Sequence, residues 1–215
     1  MSRRISDQTK NKRKMGTGKG ASYLPYITVN EFNSRGTASV IKDWKTGRGV
    51  HCLSQGEALW YYVLRWDDNN TDIREQYPLD NESTRKIASE NGIKHPHSET
   101  HIMTTDFLIT KSDGSLHAYS VKPNKNLSER ELQILCIEKI YWTSRGCGFD
   151  MLFKTDVNLI LASNVRIVTE FYNPDSVFDK YSAIKHKIAR KEYPFDMKHE
   201  LINNTLLDNV WRANQ

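Results

Sequence analysis

Hydrophobic and polar residues alternate along two short runs, residues 103–109 and 116–122, on either side of the turn sequence Ser-Asp-Gly-Ser. Alternation with a period of two is typical of β-strands, and Asp-Gly is a strong turn signal, so this pattern predicts a β-hairpin. The same criteria predict further strands at residues 27–32, 38–44, 49–52, 71–79 and 149–155.

Apolar residues recur at helical spacing elsewhere in the chain. Two such segments begin with a serine followed three residues later by a glutamate, at Ser54/Glu57 and Ser128/Glu131, which is the capping-box signature of a helix start. The predicted helices are residues 54–66, 81–92 and 128–146, followed by 164–172, 175–193 and 196–211.

The order of these elements is mixed strands and helices first, and helices alone after residue 156. This order indicates an α/β fold, with a mixed β-sheet core flanked by helices and a small C-terminal helical module. We predict three parts: a disordered basic tail at residues 1–21, a core domain at 22–155 and a helical domain at 156–215.

Composition narrows the class of protein. The 215 residues are 38% hydrophobic and 27% charged, which suits a globular domain, and no apolar run reaches the roughly 18 residues typical of a membrane span. The three cysteines, Cys52, Cys136 and Cys147, form no C-x-x-C pair, and the N-terminus is basic without an apolar stretch. We therefore expect no membrane contact, no secretory signal and a reducing, cytoplasmic location.

The net charge of +5 is concentrated near the N-terminus, where seven of the 31 basic residues lie in residues 1–20. A second basic run, KHKIARK, lies on a predicted C-terminal helix at residues 185–191. Each run is either a phosphate-binding surface or a solvated segment. The candidate DNA contacts are Arg3, Arg4, Lys10, Lys12, Arg13, Lys14, Lys185, Lys187, Arg190 and Lys191.

Two charged residues stand out in the predicted hairpin, because Asp and Lys are poor strand residues and an unpaired buried charge is costly. Asp106 lies in the first strand, and Lys122 ends the second just before Pro123. With Glu57 on a preceding helix, they could assemble a site for metal-assisted phosphodiester cleavage, in which carboxylates hold Mg²⁺ and the lysine offsets negative charge.

Simpler interpretations of the same residues remain open. Glu57 could only cap its helix, and Asp106 and Lys122 could form a cross-strand ion pair or protect a sheet edge. The H-x-H-x₃-H spacing of His95, His97 and His101 lacks a helical register and nearby cysteines, so we predict no zinc site there.

Six stretches, YLPYITVNEF, DIREQYPL, NGIKHP, TTDFL, VKP and IEKIYW, occur in an order and spacing that resemble the TnsA family. TnsA proteins are endonuclease subunits of heteromeric cut-and-paste transposases. The resemblance spans residues 23–155 and implies a restriction-endonuclease-like fold with Mg²⁺-dependent DNA cleavage, Mn²⁺ being a substitute.

The resemblance also implies roles for individual residues. It makes Glu57, Asp106 and Lys122 catalytic, with Glu57, Asp106 and the backbone carbonyl of Val121 as metal ligands. Additional candidates are Glu138 and Ser120. Restriction-type nucleases commonly carry an acid where this chain has Ser120, and a hydroxyl is a weaker Mg²⁺ ligand, so a second ion would bind less well.

The implied function is nicking of the 5′ ends of a transposon. The implied partners are double-stranded DNA at the transposon ends, an RNase-H-like transposase (TnsB) and an AAA+ regulator (TnsC). Two alternatives stay open: a catalytically inactive subunit that bridges its partners, and a stand-alone restriction or repair nuclease.

Overall fold

The computed structural model of the protein describes residues 5–31, 37–96, 101–173, 175 and 177–215. Two compact units form within this part of the chain. The first contains the residues up to Ala58 together with Asp67–Asp156, and the second contains Leu59–Trp66 and Val157–Gln215. The predicted boundaries at residues 21 and 155 stay a prediction.

The elements follow the hydrophobic pattern closely. The strands are β1 (Ser39–Lys42), β2 (Gly49–Cys52), β3 (Asn70–Pro78), β4 (Thr104–Lys111), β5 (Leu116–Lys122) and β6 (Gly148–Phe153). The helices are α1 (Asp7–Lys12), α2 (Gln55–Trp66), α3 (Asn81–Glu90), α4 (Glu129–Thr143), α5 (Leu159–Thr169), α6 (Lys180–Ala189) and α7 (Asn204–Ala213). Among the described residues, no helix is both long and apolar enough to cross a lipid bilayer.

The main sheet has four strands in the order β3-β4-β5-β6. Strands β3, β4 and β5 are antiparallel neighbours, whereas β5 and β6 run parallel, with His117 opposite Gly148. Parallel neighbours need a crossover, and α4 supplies it. Strands β1 and β2 form a separate hairpin. The predicted mixed α/β class is confirmed.

One side of this sheet is covered by helices α3 and α4. Leu108 and Ala118 from the sheet pack with Ile137 and Trp142 from α4 and with Ile87 from α3 in one buried cluster. Ser128 starts α4 with the predicted capping box, because its hydroxyl accepts from the Glu131 N–H while the Glu131 carboxylate accepts from the Ser128 N–H. The buried cluster fixes α4 against the strands that carry the candidate site residues.

The predicted strand at residues 27–32 is wrong where the structure describes it. Val29–Glu31 is a short 3₁₀ helix, and Phe32 lies outside the described residues. The Glu31 carboxylate accepts from both the backbone N–H and the hydroxyl of Thr28, at 3.1 and 3.2 Å. Such local side-chain hydrogen bonds compete with sheet pairing, and here they hold a turn.

The predicted disordered tail differs from the structure in residues 5–21. Helix α1 begins at the N-cap Ser6, and Lys10 on this helix is only 1% exposed. Its ammonium lies 2.8 Å from the Glu31 carboxylate and over the ring of Tyr26. A buried ion pair with a partner 21 positions away leaves no mark on local periodicity.

The segment after α1 runs beside β3, which is the first strand of the main sheet. Gly20 donates its N–H to the Asp72 carboxylate at 3.0 Å. The Tyr23 hydroxyl donates to the Glu75 carbonyl at 2.9 Å, and the Tyr26 N–H donates to the Gln76 carbonyl at 3.2 Å. This segment therefore satisfies backbone groups of β3.

The second unit is helical, with Leu161 and Val165 of α5 and Ile184 and Ile188 of α6 in its buried interior. Asn164 on α5 is fully buried and ties down the segment that leads to α7. Its amide donates to the carbonyls of residues 197 and 200, and its oxygen accepts from the N–H of residue 202. Three C-terminal helices are present in the described residues, but the third begins at Asn204 rather than at residue 196, because the segment before it is bound to Asn164 instead of forming a helix.

A buried ion pair in the first unit gives a stability prediction. Glu75 is fully buried, and Arg48 binds its two carboxylate oxygens at 2.6 and 2.8 Å. We expect Arg48→Ala to lower the free energy of unfolding by about 3–5 kcal/mol, because it leaves a buried charge unpaired. Urea denaturation measures this, with Lys45→Ala as the control. Lys45 pairs with the exposed Asp68, so its loss should cost under about 1 kcal/mol, and equal costs would contradict the prediction.

Candidate active site

Asp106 and Lys122 lie on the neighbouring strands β4 and β5, as the hairpin pattern predicts. The Val121 N–H donates to the Asp106 carboxylate at 2.6 Å, which fixes the acid against the strand that carries the lysine. Burial raises the pKa of Asp106, while the charge of Lys122 and the Val121 N–H act in the opposite direction. The two residues therefore interact electrostatically within one site.

Glu57 lies in the first turn of α2 and is 6% exposed. The Ser54 hydroxyl donates to one of its carboxylate oxygens at 2.8 Å and accepts from the Glu57 N–H. The other oxygen accepts from the Leu53 N–H at 2.8 Å. Glu57 does take part in capping, because its N–H donates to the Ser54 hydroxyl. Its carboxylate, however, accepts from the backbone N–H of Leu53 rather than from that of Ser54. Capping and a place in the site are therefore not exclusive alternatives.

The carboxylates of Glu57 and Asp106 repel each other. Burial, and after it the nearby charge of Asp106, raise the pKa of Glu57 from its ordinary value to about 8. Leu53, Ser54 and Gln76 lower it, but all three are neutral donors. Two carboxylates held together out of water destabilise the fold unless a cation or a proton joins them.

A third acid, Glu138 on α4, approaches the same place. The Thr105 hydroxyl donates to its carboxylate and itself accepts from the Trp142 indole N–H at 2.7 Å. Burial and the charge of Asp106 raise the pKa of Glu138 to about 7, while Thr105, Lys122 and a hydrogen bond from Ser120 lower it. The structure thus brings both additional candidates, Glu138 and Ser120, beside Asp106 and Lys122.

The sequence analysis missed one residue of this site. Gln76 on β3 is 2% exposed and donates from its side-chain amide to the Glu57 carboxylate at 3.1 Å. A hydrogen bond from the same side chain also lowers the pKa of Asp106. Gln76 falls inside the DIREQYPL stretch, but strand alternation alone gives no sign that its side chain reaches two acids.

Residues 67–153 match the family described as TnsA-like endonuclease N terminal. This region is a TnsA-like endonuclease domain. The match contains Gln76, Asp106, Lys122 and Glu138, whereas Glu57 lies ahead of it. The mixed sheet with flanking helices is consistent with the restriction-endonuclease-like fold that the resemblance implied.

The chain is also similar to the Transposon Tn7 transposition protein TnsA of Escherichia coli. The two are 37% identical over 155 residues, which are 70% of this chain and 57% of that protein. The chain therefore spans somewhat more than half the length of this relative. Both comparisons confirm the resemblance to TnsA.

The acids Glu57 and Asp106 have the chemistry that suits a hard divalent cation. Within the described ranges, no three His, Cys, Asp or Glu residues are grouped as a ready-made metal site. Mg²⁺, however, is commonly held by one or two carboxylates and completes its shell with water and substrate phosphate oxygens. Glu57 and Asp106 would hold the ion here, because a cation would offset the repulsion between their two carboxylates. Ligation by the Val121 carbonyl stays a prediction.

The structure describes only part of the histidine cluster, namely His95 and His101. The ring of His95 lies 3.2 Å from the hydroxyl of Thr84, and His97 lies outside the described residues. The absence of a zinc site in this segment stays a prediction.

The candidate DNA contacts near the N-terminus are not equivalent. Arg3 and Arg4 lie outside the described residues, while Lys12, Arg13 and Lys14 are exposed. Lys10 corrects the prediction, because its ammonium is buried against Glu31 and is not presented to a ligand. Lys12, Arg13 and Lys14 therefore stay candidates, and the prediction for Arg3 and Arg4 stays a prediction.

The C-terminal basic run is held against aromatic rings. The charged groups of Lys185, Lys187, Arg190 and Lys191 lie 4.6 to 4.9 Å from the ring centres of Phe171, Tyr193, Tyr172 and Trp66 respectively. Arg190 and Lys191 are exposed, whereas Lys185 and Lys187 are half-buried. Their role in DNA binding stays a prediction.

Proposed function

We propose that the chain is the endonuclease subunit of a heteromeric transposase and that it nicks the 5′ ends of the transposon with Mg²⁺, or with Mn²⁺ in its place. One observation carries the proposal: the carboxylate of Asp106, within the TnsA-like region, interacts electrostatically with both the buried Glu57, just ahead of that region, and Lys122. Its partners would be transposon-end DNA, a TnsB-type transposase and a TnsC-type regulator.

Each group in the site would have a separate role in hydrolysis. Ser54 and Leu53 hold Glu57, and the Val121 N–H holds Asp106, so both acids are fixed before substrate arrives. A divalent cation between them would lower the pKa of a water molecule and offset charge on the scissile phosphate. Lys122 is a compact positive charge that orients the attacking water or stabilises the developing negative charge.

A catalytically inactive bridging subunit is the main alternative. A bridge would gain nothing from the repulsion between Glu57 and Asp106, which costs folding free energy. Strain that lowers stability without a structural benefit is characteristic of functional sites. The paired acids therefore favour a nuclease over a bridge.

Strand-resolved cleavage of a transposon-end duplex in Mg²⁺, with the partner proteins present, tests this proposal. We expect Lys122→Ala to slow the 5′-strand nick by about 10²–10³-fold, because charge stabilisation in the transition state is lost. The 3′-strand nick, made by the transposase, should continue. Lys125→Ala is the matched control, because Lys125 is exposed and pairs with Asp156.

The outcomes separate the three functions. A 5′-strand nick at wild-type rate in Lys122→Ala would remove the lysine from the reaction. If the 5′-strand nick is the same with the wild-type chain and with every variant of the site, the chain is a bridge. Efficient cleavage by the isolated chain, without any partner, would instead favour a stand-alone nuclease.

A further inference from the structure

Gln76 joins the two acids of the proposed metal site. Its amide nitrogen donates to the Glu57 carboxylate at 3.1 Å, and the same side chain lies close enough to Asp106 to lower the pKa of that acid. A carboxylate oxygen can only accept from Gln76, and an amide nitrogen carries two hydrogens. One side chain can therefore serve both acids at once.

The amide is held in the orientation that this arrangement needs. The Thr104 hydroxyl donates to the Gln76 side-chain oxygen at 3.2 Å. This contact places the oxygen towards Thr104 and leaves the nitrogen for the carboxylates. The opposite orientation would set the amide oxygen against two negatively charged groups, which would repel it.

The backbone at Gln76 is bent to deliver this side chain. Its φ is +49°, in the left-handed region, which is sterically unfavourable for a residue with a Cβ. The neighbouring pairs with β4, Glu75 with Phe107 and Tyr77 with Thr105, are retained on both sides of it. Tyr26 binds the carbonyl of the bent residue. A strained, non-glycine residue at such a point indicates a functional constraint.

The neutral amide is chemically suited to this position. A lysine or arginine between the acids would neutralise them and compete with a metal ion for the same carboxylates. A glutamate would add a third negative charge to a buried pair. Glutamine donates hydrogen bonds without cancelling charge, so the acids keep their attraction for a cation while their directions are fixed.

We propose that Gln76 is a positioning residue that holds Glu57 and Asp106 in the geometry that binds the divalent cation. This inference rests on the proposed function, because it requires that the acids bind metal. Gln76 itself is not a ligand in this arrangement. It acts through the two carboxylates, as hydrogen-bond partners of metal ligands commonly do.

Metal affinity measured without DNA tests the inference independently of cleavage. Mn²⁺ is titrated into the full chain, and the free ion is followed by its electron paramagnetic resonance signal. Gln76→Ala keeps a Cβ and thus the backbone strain, and removes only the amide. We expect it to weaken Mn²⁺ binding by about 10- to 100-fold. Gln133→Ala is the control, because Gln133 is bound by Arg130 on the surface of α4.

The results distinguish the inference from the proposed function. If the wild-type chain takes up no Mn²⁺, the proposed metal site fails whatever Gln76 does. If the wild type binds Mn²⁺ and Gln76→Ala binds it within twofold as well, the site stands and the role of Gln76 is overturned. Melting in EDTA reports whether Gln76→Ala is folded. If Gln76→Ala does not fold, Thr104→Val tests the inference instead, because this substitution leaves the Gln76 amide free to rotate. An unchanged Kd for Mn²⁺ in Thr104→Val would then contradict the inference.

Discussion

Replacing Asp106 by asparagine should slow the 5′-strand nick by at least about 10³-fold, because one of two charged groups for the metal ion is lost. Asparagine keeps an oxygen that can accept the Val121 N–H, so the hairpin should fold normally. Millimolar Mg²⁺ should raise the melting temperature of the wild-type chain and leave that of Asp106→Asn unchanged, since only a bound ligand stabilises the folded state.

A matched control lies on the same hairpin. Asp113 is exposed in the turn, and its carboxylate accepts from the Ser115 N–H at 2.9 Å. Asp113→Asn makes the same chemical change outside the site and should retain both the nick and the Mg²⁺ stabilisation. If Asp106→Asn keeps more than about a tenth of the wild-type rate, Asp106 is not a metal ligand in this enzyme.

Glu57→Gln should change stability and activity in opposite directions. The pKa of Glu57 is raised to about 8 in the folded protein, against 4.5 ordinarily, so the folded state holds a proton that the unfolded chain releases between these values. Folding stability therefore falls as the pH rises from about 4.5 to 8. The substitution removes this loss, and we expect a gain on the order of 2 kcal/mol at pH 8 in EDTA.

The side-chain amide introduced by Glu57→Gln can keep the hydrogen bonds of the carboxylate that it replaces. Its oxygen can accept from Leu53 and Gln76, and its nitrogen can donate to the Ser54 hydroxyl. The 5′-strand nick should nevertheless fall by about 10²–10³-fold, because a neutral ligand holds a divalent cation poorly. Urea denaturation across the pH range, together with the strand-resolved assay, measures both effects.

A second capping glutamate provides the comparison. Glu131 is exposed, and hydrogen bonds with Ser128 lower its pKa. Glu131→Gln should lower stability slightly rather than raise it, since only a cap is weakened. If Glu57→Gln also loses stability in EDTA at pH 8, the repulsion between Glu57 and Asp106 is not a significant cost.

The sequence alone predicts those helices and strands in which the spacing of hydrophobic residues follows their burial. The hairpin, the capped helices and the three C-terminal helices all follow from local pattern, because alternation and capping residues act within a few positions. The same pattern placed Asp106 and Lys122 on adjacent strands. Their link to Glu57 came from the resemblance, and the structure brings all three together.

What the pattern did not reveal depends on non-local contacts. Lys10 looked like part of a solvated tail because its partner, Glu31, is far along the chain. Residues 29–31 were predicted as part of a strand. Local composition does not reveal that the Glu31 carboxylate binds Thr28 and holds a turn there. Gln76 was missed because a left-handed residue breaks the alternation on which strand prediction relies.

The N-terminal segment beside β3 has a consequence for solubility. An uncovered outer strand is a template on which other chains can add by backbone pairing, which leads to aggregation. Tyr23 and Tyr26 bind the carbonyls of Glu75 and Gln76 and so make that part of the strand unavailable to a foreign chain. Proteolytic removal of this segment would free the backbone groups of this strand edge, and we expect the chain then to self-associate through it.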